Sequence, residues 1–526
     1  MSSSGDIKPA DGLAAPESSL AWTLVAIAIF VVRILSWAMS EYWYDEVLTF
    51  GNFVFDPNRV GMFQAVFRSY PIANNHILSS AIYAIWANCL GYDLSSEFLV
   101  RLPSLIEGLV TILIISLHWR KWLGVRIACL GAIVFAISPV FTAFAYQVRG
   151  YSLSMMLASA AISGALECVD GKYGRGLLFS FICCMLLPLT IPSNALVAPI
   201  VAAVIFIGTR KVLPSLVPLA GGFIGGSYYF TIWDQFVEAS KEPSGWESAT
   251  AVALHLLLAF AVHLAVILVG IPFRTKGDAS NRDEADSRLR WMPLAIAVLT
   301  VIIIGAVLFL SRSGHAPYPR VFLVFLPIVS FAALLAAKHS ILAQKQLILP
   351  LLAVFAIGYG VERYTSEKTR DALAKGESPL NLLQQYYRGS SELRLLAQTK
   401  FPEDAILITD EYDLPTMELY NLMNGRQDGL VVSPNKSERG FATKDGKNAI
   451  VVAIAKTPEI AAYLLSYAGF GTTEELLESF TNENLPDQAR MFMPYDSPNT
   501  IRQIYAPPSM RFIRKINPIQ DNSKII

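Results

Sequence analysis

Glu41-Tyr42-Trp43-Tyr44-Asp45-Glu46 follows directly on a long apolar run, Leu20 to Met39. Two adjacent carboxylates therefore stand where a chain has just left the hydrocarbon, among aromatic rings. Trp and Tyr favour the membrane–water interface, which accounts for the rings. An interface needs no carboxylates. Asp45 and Glu46 are thus the candidate catalytic pair, and the rest of the chain is read outward from them.

Composition agrees with a membrane setting. Of 526 residues, 53% are hydrophobic and 16% charged, with a mean hydropathy of +0.44. Soluble domains carry about 25% charged residues. Lys+Arg and Asp+Glu are both 42, and a nucleic-acid partner would want a basic excess. Met1 to Ser19 is polar and Ser/Pro/Ala-rich. It reads as a short disordered tail, not a cleaved signal peptide. The five cysteines, Cys89, Cys129, Cys168, Cys183 and Cys184, all fall in apolar segments. They read as small buried hydrophobes, with no disulfide framework and no metal-ligand spacing.

Apolar runs at 20–39, 98–117, 124–142, 151–168, 176–191, 193–208, 213–232, 251–272, 291–310, 321–337 and 343–360 predict about eleven spans. His76–Tyr92 is shorter and contains Tyr83 and Asn88. Basic loops at His118–Lys121 with Arg126, Lys172–Arg175, Arg210-Lys211, Arg274–Arg290 and Lys338 share one side only if this run does not cross. It is therefore expected to be an interfacial amphipathic helix. The N-terminus is then inside, and the first external loop, 40–97, carries the acid pair outside.

After residue 360 the composition becomes polar. Ala405–Thr409 and Asn448–Ile454 read as buried strands. Asp413–Met423 and Thr457–Tyr467 read as helices, and Ile501–Tyr505 and Met510–Ile513 as further strands. The prediction is a polytopic α-helical membrane domain over 20–360 and a soluble external α/β domain over 361–526.

A carboxylate can take a proton from an attacking hydroxyl, help worth about 10²–10⁴ in rate. Asp45 in its aromatic setting suits that role, with Glu46 catalytic beside it or positioning it. Arg101, Arg149 and Arg320 lie on the predicted outer side, against the usual bias. A planar guanidinium binds phosphate oxygens bidentately, which would explain them. A snorkelling arginine on lipid head groups is the bland alternative. His76, in Asn74-Asn75-His76 at the start of the short helix, can donate to a leaving phosphate or simply cap.

These stretches resemble the C-type glycosyltransferase superfamily (GT-C). Trp43-Tyr44-Asp45-Glu46 after the first span resembles its acid pair in the first external loop. Asn74-Asn75-His76-Ile77-Leu78 is similar to its juxtamembrane element. Ser96-Glu97-Phe98-Leu99-Val100-Arg101-Leu102-Pro103-Ser104 is similar to an "EF-ALRLPS" run. Tyr146-Gln147-Val148-Arg149-Gly150-Tyr151 is similar to a "Q-AR-Y" loop. The likeness covers about residues 20–360 and is greatest to aminoarabinose transferases, protein O-mannosyltransferases and polyprenyl-phosphate-galacturonic-acid transferases.

The resemblance implies a sugar carried on a polyprenyl phosphate and transferred to a lipid, glycan or protein hydroxyl, with inversion. It also implies a bacterial inner membrane and a periplasmic site. Asp45 would be the catalytic acid of the pair. Arg101, Arg149, His76, Tyr151, Arg320 and Asn75 would form the substrate and phosphate site, with acids and guanidinium groups sharing one water-facing cavity. No cofactor and no metal are predicted, although a divalent ion is compatible. Two features depart from the pattern. Asn75-His76 stands where aminoarabinose transferases have an acid and a lysine. No Trp follows Trp291, so the double-Trp-Asp motif of oligosaccharyltransferases is absent.

The first rival is a secondary transporter, with Gly221-Gly222 and Gly225-Gly226 as its one broken-helix candidate; close helix packing explains them better. The other is a non-catalytic scaffold whose tail binds a partner.

Overall fold

The computed structural model describes residues 16–39, 42, 44–54, 62–68, 70, 75–91, 96–241, 249–270, 291–311, 317, 319–338, 406–409, 431–432, 451–454, 458–467, 473–481 and 489–492. The first helices are α1 (Pro16–Ala38), α2 (Tyr44–Thr49), α3 (Met62–Phe67), α4 (Ile77–Cys89) and α5 (Glu97–Val100). There follow α6 (Leu102–Leu113), α7 (Arg120–Leu123), α8 (Val125–Ile137), α9 (Pro139–Phe144), α10 (Gly150–Val169), α11 (Tyr173–Thr190) and α12 (Val197–Thr209). Then come α13 (Val212–Ser227), α14 (Trp233–Lys241), α15 (Ala249–Gly270), α16 (Met292–Leu310) and α17 (Phe325–Lys338). The described residues fall into two compact units. One is drawn from within Met1–Ala38, His76–Ser79 and Arg101–Gly360, the other from within Met39–Asn75, Ser80–Val100 and Val361–Ile526.

In the first unit, five helical stretches are long and apolar enough to cross a membrane: Leu102–Leu123, Gly150–Val169, Tyr173–Thr190, Pro192–Thr209 and Met292–Leu310. The chain is a multi-pass membrane protein on this evidence. About eleven spans were expected; several of the other apolar runs are helical over shorter described stretches, among them Leu20–Leu35, Val125–Ile137 and Phe325–Lys338. Run 124–142 breaks where Ser138 precedes Pro139. A residue before proline is pushed out of the α region, and Ser138 sits at φ −56°, ψ 120°. Its hydroxyl accepts from the Phe141 amide and starts α9 as a separate helix. Run 321–337 opens with a 3₁₀ turn, Pro319–Phe322, and is α-helical only from Phe325. Run 343–360 lies outside the described residues.

Helix α10 is the axis of this unit. It is buried almost end to end and carries Ser152, Ser154, Ser159 and Ser163 on buried positions. Buried hydroxyls in an apolar bundle need partners. Ser159 donates to Met155 O and Ser163 to Ser159 O, while the Trp119 indole donates to Ser163 Oγ at 3.0 Å. Ser104 donates to Gln147 O and Ser152 to Ser104 O. The start of α6 therefore lies by the start of α10, and the ends of the two lie together. Helix α11 returns alongside. Helix α13 is unbroken, and Gly221 and Gly225 bring it against the Phe181 and Met185 carbonyls of α11, where any Cβ would collide. Close packing is thus what these glycines serve, which removes the transporter's broken helix.

The second unit holds α2 to most of α4, α5 and the C-terminal elements. Strands β1 (Ile406–Thr409), β2 (Val431–Val432), β3 (Val451–Ile454) and β4 (Ala489–Phe492) form a parallel sheet in the order β2-β1-β3-β4. Parallel neighbours need crossovers. Helices α18 (Pro458–Tyr467) and α19 (Thr473–Thr481) lie between β3 and β4 in the chain, and α18 buries Ala461, Ala462, Leu464 and Leu465. β1 and β3 occupy the two apolar segments expected to be strands. The expected elements at 413–423, 501–505 and 510–513 lie outside the described residues.

Two smaller expectations are corrected. α1 begins at Pro16, so the last part of the expected tail is helical; proline at a helix start costs nothing because its missing N–H has no helical partner there. All five cysteines are free, but Cys89 is exposed at the end of α4.

Candidate active site

The first unit has two distinct helix ends. At one lie Arg101, Arg149, His76, Tyr151 and Arg320. Arg149 sits in extended backbone directly before α10, at φ −153° and ψ 166°, and is 3% exposed. Its Nη2 lies 2.9 Å from His76 Nε2, and its guanidinium lies over the Tyr151 ring at 5.4 Å. The next residue, Gly150, donates its backbone N–H to His76 Nδ1 at 3.0 Å. Only glycine fits here, since a Cβ would lie 2.7 Å from His76 Nδ1 and 2.9 Å from Thr190 O. The His76 and Tyr151 rings meet edge to face at 5.3 Å. Tyr151 also packs with Ile191 and Leu323, and Val321 joins that cluster, which anchors the turn bearing half-buried Arg320.

The electrostatics follow from this geometry. Burial, and then the charges of Arg149 and Arg320, hold the His76 pKa well below the ordinary 6.5, so the ring is neutral near pH 7. A neutral imidazole accepts at one nitrogen only. With Nδ1 taken by the Gly150 amide, the proton is assigned to Nε2, where it faces an Arg149 N–H. Two donors then oppose each other at 2.9 Å. An anionic oxygen set to one side of both nitrogens would accept from each, and Arg149 adds the positive charge that favours an anion.

Arg101 is placed differently. It is fully buried, donates from Nη1 to the carbonyls of Trp37 and Ala38 at 3.1 Å each, and lies 5.0 Å over the Tyr146 ring. Tyr146 in turn stacks on Trp37. Helices end with carbonyls that lack intrahelical partners, and a cation there is favourable. Arg101 thus fastens the end of α1, the point from which the acid-pair segment leaves.

Asp45 and Glu46 belong to the second unit. They occupy the first turn of α2, a short helix. Glu46 is fully buried and Asp45 half-buried, so the more enclosed acid is not the one favoured as base. Tyr42 and Phe50 are buried nearby with rings 5.3 Å apart, while Trp43 lies outside the described residues. Asn75 is also in this unit. Its Nδ2 donates to Val66 O at 2.9 Å and its Oδ1 accepts from Ser80 at 3.0 Å. That makes Asn75 a brace for the turn into α4, a role different from the phosphate contact expected of it.

Sequence reading passed over Ser154, Thr190 and Asn194, three buried polar residues bonded together behind Gly150. Polar residues inside otherwise apolar runs were the available signal. Among the described residues, no group of three His, Cys, Asp or Glu side chains is placed to hold a metal ion.

At the opposite helix end the charges are arranged in another way. Lys121 pairs with Asp170, Lys172 Nζ lies 3.3 Å from Glu167 Oε2, and His118 lies 3.6 Å from Glu167 Oε1. Lys211 lies over Tyr173, and Lys338 donates to Trp122 O. Four of the expected basic loops therefore meet at this end.

No family model and no curated protein matches the chain. Among solved structures it is similar to ArnT from Cupriavidus metallidurans bound to undecaprenyl phosphate, at 13% identity over 93% of this chain and 95% of that one, with a TM-score of 0.48. It is also similar to the oligosaccharyltransferase from Archaeoglobus fulgidus in complex with Zn and sulfate, at 13% identity over 87% of this chain and 66% of that one, with a TM-score of 0.40. ArnT from Cupriavidus metallidurans in the apo state matches at 11% identity over 94% of this chain and 95% of that one, with a TM-score of 0.33.

Proposed function

We propose that this protein is a GT-C-type membrane glycosyltransferase. It moves a sugar from a polyprenyl phosphate to a hydroxyl of an envelope lipid, glycan or protein. The observation that carries the reading is the opposed donor pair, His76 Nε2 and Arg149 Nη2, buried beside Arg320 at one end of the apolar helices. That arrangement suits a phosphate arriving at the membrane surface. The acid pair that follows the first apolar helix supplies the complementary chemistry.

In the proposed reaction Asp45 takes the proton of the acceptor hydroxyl. The oxygen attacks the anomeric carbon as the bond from that carbon to the phosphate oxygen breaks. Its electron pair leaves with the polyprenyl phosphate, and a single displacement inverts the centre. Arg149, His76 and Arg320 stabilise the charge gathering on the leaving phosphate. Glu46 orients Asp45, Tyr151 holds the His76 ring, and Arg101 positions the end of α1. The site faces the periplasm of a bacterial inner membrane. The C-terminal parallel sheet is assigned a part in receiving the acceptor.

The test is transfer by purified protein from a polyprenyl-phosphate sugar, comparing wild type with Asp45→Asn. A general base is worth about 10²–10⁴ in rate, so the variant should lose at least a hundredfold. Unchanged transfer removes Asp45 from the role. The lipid-linked sugar that accumulates in cells lacking the protein identifies the donor.

A further inference from the structure

Gly150 is held from behind by polar groups that contribute no charge. Ser154 Oγ lies one turn into α10 and donates to Gly150 O at 2.5 Å. Thr190 Oγ1, at the end of α11, donates to Leu187 O at 2.6 Å. Each hydroxyl has a carbonyl within donating reach, and either can instead donate to the other. Asn194 lies in the 3₁₀ turn Pro192–Leu196 and is fully buried. Its Nδ2 lies 2.7 Å from Ser154 Oγ and 2.8 Å from Thr190 Oγ1, donating to both oxygens. The two oxygens are 2.7 Å apart. One side-chain amide therefore ties the first turn of α10 to the last turn of α11. Directly in front of this tie, the Gly150 amide meets His76 Nδ1 and the Thr190 carbonyl crowds the Gly150 α-carbon.

We infer that Asn194, with Ser154 and Thr190, is a positioning device that fixes His76 and Arg149 in the geometry for binding the donor's phosphate. This rests on the glycosyltransferase reading for its substrate, and on geometry alone for its effect on His76. The amide sets where the first turn of α10 sits. That position sets the Gly150 N–H, which decides that His76 Nδ1 is the accepting nitrogen. Nε2 is then the nitrogen that presents a proton toward Arg149. Small misplacements of such groups cost up to about a hundredfold in rate.

The experiment uses the full-length protein in nanodiscs and four variants: Asn194→Leu, Ser154→Ala, Thr190→Val and Thr190→Ser. The first readout is carbethoxylation of His76 by diethylpyrocarbonate, mapped by mass spectrometry, which needs no substrate. The second is kcat/KM for the lipid-linked sugar against KM for the acceptor. Asn194→Leu and Thr190→Val should speed His76 modification several-fold. They should lower kcat/KM for the donor by about 10- to 100-fold with acceptor KM unchanged. Ser154→Ala should do the same more weakly. Thr190→Ser keeps the hydroxyl and should restore both readouts, which a loss of bulk packing would not explain. Wild-type His76 reactivity and donor kinetics in Asn194→Leu and Thr190→Val overturn the proposal, as does failure of Thr190→Ser to restore them. If wild type transfers nothing from any polyprenyl-phosphate sugar while His76 reactivity changes as stated, the functional reading fails and the positioning device stands.

Discussion

The two helix ends of the first unit solve the same problem in opposite ways. At one end the lysines are exposed, with 44% of the Lys121 side chain and 54% of Lys172 accessible, and both pair with carboxylates. Such pairs are worth about 0–1 kcal/mol and ask little of the fold. At the other end Arg101 and Arg149 are 0% and 3% exposed, set against backbone carbonyls, an imidazole and tyrosine rings. Burying a cation costs several kcal/mol unless its surroundings compensate. Wet, paired charges mark where the bundle meets water and lipid head groups. Enclosed, oriented charges mark the end proposed to bind the phosphate.

The contrast can be broken most severely at the acid pair, where Asp45→Asn should remove at least a hundredfold of transfer. Next is the cation end itself. Arg149→Gln should cost about 10²–10³ in kcat, the usual loss for one oriented donor to developing charge, whereas Lys172→Gln should change it by less than about threefold. Kinetics of the two purified variants decide whether the ends differ in kind. A smaller effect sharpens the role of Gly150. Gly150→Ala places a methyl against His76 and the Thr190 carbonyl and should lower transfer about tenfold or more, whereas in a His76→Gln background it should cost little further.

The smallest expected effect concerns pH. His76 is neutral in the folded protein and carries the ordinary value of 6.5 when unfolded. Below that value, and above the lower folded one, the unfolded chain binds more protons, so stability falls as pH drops. His76→Gln should therefore flatten part of the fall in melting temperature between about pH 7 and pH 5.

Much of this was legible in the sequence because the signals are local. Apolar length marked the long helices, the outer-side arginines broke a charge bias, and Gly221 and Gly225 lay at helix-packing spacing. His76 was singled out by its place before a short apolar helix, and the structure sets it against Arg149. The rest was hidden for identifiable reasons. Apolar length does not see a break such as Ser138-Pro139, where one apolar run is divided into two helices. Two carboxylates side by side do not reveal which is enclosed, and burial falls on Glu46 because the first turn of α2 directs the two differently. Arg101 was read as a phosphate ligand, and two of its contacts, with carbonyls more than sixty residues earlier in the chain, had no signal in the sequence. The Asn194 tie joins Thr190, four residues away, to Ser154, 36 to 40 residues away, and only its short leg is local in sequence.

The central claim is that the enclosed end takes a phosphate. It is tested most directly by equilibrium binding of polyprenyl phosphate, without sugar, to nanodisc-held wild type, Arg149→Gln and Lys172→Gln. The account predicts saturable binding that weakens at least tenfold in Arg149→Gln and is unchanged in Lys172→Gln. Equal binding by all three proteins, or a loss confined to Lys172→Gln, would contradict it.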